Sequence, residues 1–443
     1  MVPTKEYYSR VAEDTATRKL RLIAALSSCS SRLLARNLIY GPKLPSWPFP
    51  LQLVVEVIRY TMSWGYEKYT DDDLGTIDIV AMVRKMREYQ LAAEADISST
   101  CDMGQFDLLI EGESLLACPD HIFSDLYKAD AAASQSVAPR SIVGEIIVSH
   151  EAAEALIERG GDRNKLVSLA PVVDGETVLI HFHGGAYIQG SPATIRTMVA
   201  KIAQSTGLRV IVPDYRLAPE SPFPAQLHDG YLIWKKLMDS GFEPGNVFIS
   251  GDSSGGNLAL ALLLLLKKVG SPMPRGAVLL SPSTCLSKVC NSHIENEKYD
   301  YLKKIPISSP LNSYRLFVAP GKPLSAFTSD ILENPLISPI FGDFTDCPPM
   351  LVQVGDKELL YDDACELARI FDNQDDSALQ GASSRNQKAD SQFKLEVYKD
   401  MPHVFQALPV AKEASEAIAS IGNWVRKHIN VDNDDDGGDS NMT

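Results

Sequence analysis

Residues 246–257 read NVFISGDSSGGN: an apolar, β-branched run ends in Gly251-Asp252-Ser253-Ser254-Gly255-Gly256 and passes at once into the leucine-rich helical pattern of 258–266. A strand that becomes a helix with no loop between must turn sharply. In G-x-S-x-G the glycines flank a serine held in a strained backbone, where neighbouring side chains would collide with strand and helix. The pattern alone is a weak signal, and its strand-turn-helix setting gives it weight. Ser253 is therefore the candidate nucleophile, and the stretch marks one βα unit.

Similar units lie on both sides. Strand-like runs occur at 178–182 (VLIHF), 209–213 (RVIVP), 246–250 (NVFIS), 276–280 (GAVLL), 350–355 (MLVQVG) and 393–398 (FKLEVY), with helical patterns at 192–206, 224–240, 254–268, 361–372 and 412–428. Short strands alternating with longer helices predict an α/β fold with a mostly parallel central sheet flanked by helices, and near-continuous apolar strands predict a sheet covered on both faces. Two stretches break the rhythm. Residues 1–170 read as helices at 19–37, 51–64 and 77–89 with one strand at 144–149, and residues 281–348 are rich in proline and serine without a period. Loops of that length are usually lids or small subdomains, so both are expected to cap a catalytic unit spanning 171–430. The polar run 373–392 is expected to be an exposed loop, and the acidic 431–443 a disordered tail.

Composition excludes several functions. The formal charge of −15 disfavours nucleic acid as a partner, because little basic surface could release counterions. The 7 cysteines are odd in number, scattered and without C-x-x-C, which points to a reduced, cytoplasmic setting. No apolar signal core follows Met1, and no run reaches the roughly 18 apolar residues of a spanning helix. Residues 51–60 (LQLVVEVIRY) have two readings, a helix packed on its own protein or an amphipathic helix in peripheral contact with a membrane. Oligomeric state leaves no mark in the sequence.

The chemistry gathers around Ser253. Strand 178–182 leads into His183-Gly184-Gly185-Ala186-Tyr187, and small residues let backbone N–H donors approach the oxygen that becomes negative in acyl transfer. The oxyanion hole is assigned to the N–H groups of Gly185 and Ala186, with Gly184 beside them, and to Ser254 directly after the nucleophile. A carboxylate and a histidine should follow in that order. Strand 350–355 ends in Asp356-Lys357-Glu358-Leu359-Leu360-Tyr361-Asp362-Asp363, and strand 393–398 leads to Met401-Pro402-His403. Both lie past the ends of late strands, on the sheet edge expected to carry Ser253, which selects His403 over His121, His150, His228, His293 and His428. His181 and His183 form an H-x-H, but with no third ligand at recognisable spacing no metal is assigned.

At these motifs the chain resembles the hormone-sensitive-lipase-like group of α/β-hydrolases, also known as fold-3 or family IV esterases. The matching segments are HGGAY at 183–187, DYRLAPESPFPAQLHD at 214–229, GDSSGGN at 251–257 and MPHVF at 401–405. The resemblance covers about 175–428 and implies an α/β-hydrolase fold and a triad of Ser253, an acid and His403. It also implies motif support from His183 and Asp252, structural support from Asp214, Arg216, Pro219, Glu220 and Asp229, and a cap built from the N-terminal region and a later insertion. Its acid motif falls on Glu358, where aspartate is usual, with Asp356 and Asp362 as alternatives. The implied activity is hydrolysis of a small or lipophilic carboxylic ester through an acyl-enzyme, without a cofactor. A thioesterase or acyltransferase would use the same residues, and a catalytically inactive small-molecule receptor could share the fold.

Overall fold

The structure, a computed structural model, describes residues 31, 33–37, 39–62, 69–89, 95–110, 121–123, 140–372 and 392–435. Its strands are β1 (Cys101–Ile110), β2 (Arg140–Ser149), β3 (Val178–Phe182), β4 (Arg209–Pro213), β5 (Val247–Asp252), β6 (Gly276–Leu280), β7 (Met350–Gly355) and β8 (Phe393–Tyr398). They form one 8-stranded sheet in the order β1-β2-β4-β3-β5-β6-β7-β8. β1 pairs antiparallel with β2 and β2 with β4, while every pair from β4 to β8 is parallel.

The strand expected at 144–149 is β2, but β1 was not expected, and because both belong to the central sheet the catalytic unit begins well before residue 171. β1 is an edge strand with an alternating, half-wet burial pattern, and Asp102, Gly104, Gln105 and Asp107 interrupt its apolar character. A strand of that kind has no continuous apolar run to announce it. The region also contains α1 (Phe49–Met62), α2 (Ile79–Tyr89) and α3 (His150–Glu158).

Helices cover the sheet on both faces, as the apolar strands require. α5 (Ala225–Asp239), α6 (Ser254–Lys268) and α10 (Tyr361–Asp372) pack on the face carrying Val178, Ile180, Phe182, Ile249 and Val352. α4 (Pro192–Thr206) and α11 (Lys412–Asp435) pack on the face carrying Leu179, Val210, Phe248, Val278 and Leu351. Neighbouring residues of one strand thus enter opposite cores, as the period of two demands. Leu258, Leu260, Leu262, Leu263, Leu265 and Leu266 of α6 are all buried. At about 1.5–3 kcal/mol for each fully buried leucine, they anchor the helix that begins at the residue after Ser253.

The irregular stretch after β6 contains three short helices, α7 (Ser292–Glu295), α8 (Ser313–Val318) and α9 (Ser329–Leu332). α11 runs past the expected end at 428 and enters the acidic segment as far as Asp435. The rest of that segment, most of the 373–392 loop and residues 19–30 of the first expected helix lie outside the described residues. α1 packs on its own protein: Leu51 and Val55 are buried with Met401, Phe405 and Leu408. No helix among the described residues is long and apolar enough to cross a membrane.

Candidate active site

Ser253 sits between β5 and α6 at φ 55° and ψ −119°. Such a conformation is costly for a residue with a side chain and persists only where its surroundings enforce it. Its N–H donates to Leu280 O at 2.9 Å, and its carbonyl accepts Asn257 N at 3.1 Å and Ser283 N at 3.2 Å. Gly255 makes the sharp turn affordable, since a Cβ there would lie 2.0 Å from the Phe182 carbonyl oxygen.

The loop after β3 lies against this turn. A Cβ on Gly184 would lie 2.3 Å from a carboxylate oxygen of Asp252 and 3.1 Å from Ser253 Cβ, so the glycine permits the contact. Gly185, Ala186 and Tyr187 all have positive φ, at 120°, 55° and 62°. Consecutive residues of this kind turn backbone N–H groups into a concave nest that suits an anion. Among the described residues, no acceptor takes the N–H of Gly185, Ala186 or Ser254. The Ser254 hydroxyl accepts Tyr187 N at 3.3 Å, and the Tyr187 hydroxyl donates to Asn257 Oδ1 at 2.6 Å. Tyr187 also stacks on Phe317 of α8, with ring centroids 3.9 Å apart.

Neither histidine of the H-x-H is spare. His181 makes contacts of 3.0 Å with Ser250 Oγ and 3.1 Å with Asp252 Oδ1. His183 donates from Nδ1 to Gly184 O at 2.8 Å and stacks on Tyr215 at 4.2 Å. Burial pushes its pKa down to about 4, so its ring is a neutral prop for the loop at physiological pH. The 214–229 segment is a structural tie. Arg216 bonds Asp229 at 2.8 Å, and Arg87 of α2 bonds Glu220 at 2.9 Å and Ile188 O at 2.6 Å.

The expected acid and base meet past the ends of β7 and β8. His403 Nδ1 lies 3.3 Å from Glu358 Oε1, with both side chains buried. A carboxylate only accepts, so Nδ1 carries the proton and Nε2 presents its lone pair. The other oxygen, Oε2, accepts Gly355 N at 2.9 Å and the Ser281 hydroxyl at 2.7 Å. Burial alone would lower the His403 pKa. The hydrogen bond and charge of Glu358, with the charges of Asp300 and Asp252, outweigh it and hold the value above that of an ordinary histidine. The alternative acids point elsewhere: Asp356 accepts Asp400 N at 2.6 Å, and Asp362 accepts Ser292 N at 2.8 Å.

Ser281, Asn257 and Asp300 escaped the sequence reading. Ser281 does have a signal, a polar residue just past a strand on the same sheet edge. Asn257 stands at the end of the serine motif, where its side chain also donates to Ser283 O and Ile337 O at 2.7 and 3.1 Å. Asp300 lies in the stretch without a period, where nothing local marks it.

Residues 179–407 match the model of a family described as having the α/β-hydrolase fold, and the chain belongs to that family. It is 34% identical over 254 residues to an acetyl-hydrolase of Streptomyces hygroscopicus, covering 57% of this chain and 76% of the relative. An esterase of Acinetobacter venetianus is 34% identical over 250 residues, covering 56% and 74%. A solved esterase from the bacterial hormone-sensitive lipase family superposes with a TM-score of 0.58 at 28% identity, covering 87% of this chain and 99% of that one. Within the family, the chain is a carboxylesterase-like hydrolase of the hormone-sensitive-lipase-like group.

Proposed function

We propose that the chain cleaves carboxylic esters with short acyl groups through an acyl-enzyme on Ser253. The carrying observation is the buried His403–Glu358 pair at 3.3 Å, on the sheet edge where Ser253 is held in its strained turn. In this reading Nε2 of His403 takes the proton of Ser253 as its oxygen attacks the ester carbonyl. Glu358 fixes the tautomer and offsets the positive charge that forms. The N–H groups of Gly185, Ala186 and Ser254, with Gly184 alongside, receive the oxyanion. His403 then protonates the leaving alcohol, and water, activated by the same imidazole, releases the acid. None of these steps calls for a cofactor.

The acyl preference rests on the relative named acetyl-hydrolase. The cap is assigned to α2 of the N-terminal region and to the 281–348 insertion. Contacts of α2 and α8 with the Ala186–Tyr187–Ile188 turn support that assignment: Val83 and Leu316 are buried with Ile188, and Phe317 stacks on Tyr187. The test is hydrolysis of p-nitrophenyl acetate, butyrate and longer esters, with fluorophosphonate labelling of the serine. Ser253→Ala should abolish both, and the acetate and butyrate should outrun the long chains. Labelling that survives Ser253→Ala would remove the serine from its role.

A further inference from the structure

The first part of the insertion is bound to the loops that carry the proposed acid and base. The Ser292 hydroxyl donates to Leu359 O at 2.6 Å, and Asn296 Nδ2 donates to Glu358 O at 2.9 Å and Asp356 O at 3.1 Å. At the end of this strap stands Asp300, a fully buried carboxylate with no part in the mechanism above. Its Oδ2 accepts Leu359 N at 2.7 Å, and its Oδ1 accepts His403 N and Leu302 N, each at 3.3 Å. One side chain therefore grips the main chain of His403 and that of the residue next to Glu358.

We propose that Asp300 is a positioning residue that holds the acid loop and the histidine loop in register, so that the insertion itself sets the His403–Glu358 contact. The inference rests on the roles proposed for Ser253, Glu358 and His403. Its physical basis is that the backbone bonds joining the two loops, Asp356 N to Tyr398 O at 3.0 Å and Lys357 N to Met401 O at 3.1 Å, stop short of Glu358 and His403 themselves. At 3.3 Å their contact is at the loose end of the hydrogen-bond range, so a small shift of either loop breaks it. The 2.7 Å bond from Leu359 N to the buried carboxylate has the length of a charge-assisted bond and fixes the acid loop, and the longer 3.3 Å bond from His403 N ties the histidine loop to the same side chain.

The groups facing Asp300 are His403 on the histidine loop, Glu358 on the acid loop and Arg59 of α1, whose guanidinium donates to the Asp300 carbonyl at 2.7 Å. Burial pushes the Asp300 carboxyl up to about 6, opposed by the charge of His403 and reinforced by that of Glu358. The negative charge of Asp300 in turn helps to hold the His403 pKa up. Replacing Asp300 by a neutral side chain should therefore lower that value.

The experiment compares wild type with Asp300→Asn, which keeps the volume and one acceptor but loses the charge, and with Asp300→Ser, which is smaller and keeps a hydroxyl. The full chain is used, p-nitrophenyl butyrate is the substrate, and circular dichroism on heating monitors the fold. Asp300→Asn should lower kcat by about ten- to a hundredfold, as misplacement of a catalytic group does, with KM within about twofold. The acid limb of its kcat/KM profile should move to lower pH. Wild-type kcat with an unmoved limb in a folded Asp300→Asn protein overturns the proposal. Failure of both variants to fold also overturns it, because the bridge would then be holding the domain rather than the pair. Ser253→Ala and His403→Ala run alongside: if either keeps activity, the site assignment itself falls. If both are inactive while Asp300→Asn matches wild type, only the role of Asp300 falls.

Discussion

Ser281 donates its hydroxyl to Glu358 Oε2 at 2.7 Å and accepts Val404 N at 3.0 Å, so one small side chain joins the acid to the residue after His403. Ser281 itself has φ 48° at the end of β6, a conformation that a serine keeps only where its contacts enforce it. Ser281→Ala leaves a buried carboxylate oxygen with one donor fewer. A lost hydrogen bond to a charged group costs about 1.5–3 kcal/mol, and that loss should appear in urea unfolding. Because the bond also steadies Glu358, kcat should fall while KM for p-nitrophenyl butyrate is little changed. Equal stability and equal kcat would show that the bridge is incidental.

Replacing Glu358 by glutamine tests the electrostatics of the pair. The carboxylate fixes the imidazole tautomer and holds the His403 pKa up, and glutamine does neither. A base must be neutral to accept a proton, so wild-type kcat/KM should rise with pH through a midpoint above the roughly 6.5 of a free histidine. In Glu358→Gln the midpoint should move down, since burial then acts with less opposition. Loss of the correct tautomer should lower kcat by about 10³- to 10⁴-fold. A pH–rate series on both proteins decides the matter, and an unmoved midpoint in the variant would separate Glu358 from the titrating group.

The contrast between Ser253 and Ser281 explains how far the sequence could be read. The turn at Ser253 is local: strand, glycines and helix lie within one short stretch, and each constrains the next. The strands β3 to β7 were legible for a related reason, because burial on both faces keeps them largely apolar. β1 carried no such mark, having one wet face and Gly104 at a point where a Cβ would lie 2.3 Å from Val167. Ser281 and Asp300 act where loops from distant parts of the chain meet, and no spacing along the sequence encodes that meeting. The acid was an intermediate case. Position along the chain left several carboxylates open and family resemblance favoured Glu358, while the fold turns Asp356 toward Asp400 N and Asp362 toward Ser292 N.

The N-terminal segment reaches the same loop from outside the sheet. Trp47 Nε1 donates to Asp400 O at 2.6 Å, Ser46 donates to Asp400 Oδ2 at 2.8 Å, and Leu51 is 1% exposed among Met401, Phe405 and Leu408. Met401 and Phe405 bracket His403, so the packing of α1 bears on the position of the imidazole. Leu51→Ala removes buried methyl groups from a site closed on all sides and should cost about 2–5 kcal/mol in denaturant unfolding. Tyr60→Ala, on the same helix at 57% exposure, should stay within about 0.5 kcal/mol of wild type. Leu51→Ala should also lower kcat, because a loosened Met401–Phe405 turn lets His403 drift from Glu358. If the apolar face of α1 served a membrane instead, Leu51→Ala would leave unfolding and kcat unchanged and weaken binding to phospholipid vesicles. The paired measurement therefore separates a brace for the histidine loop from a surface anchor.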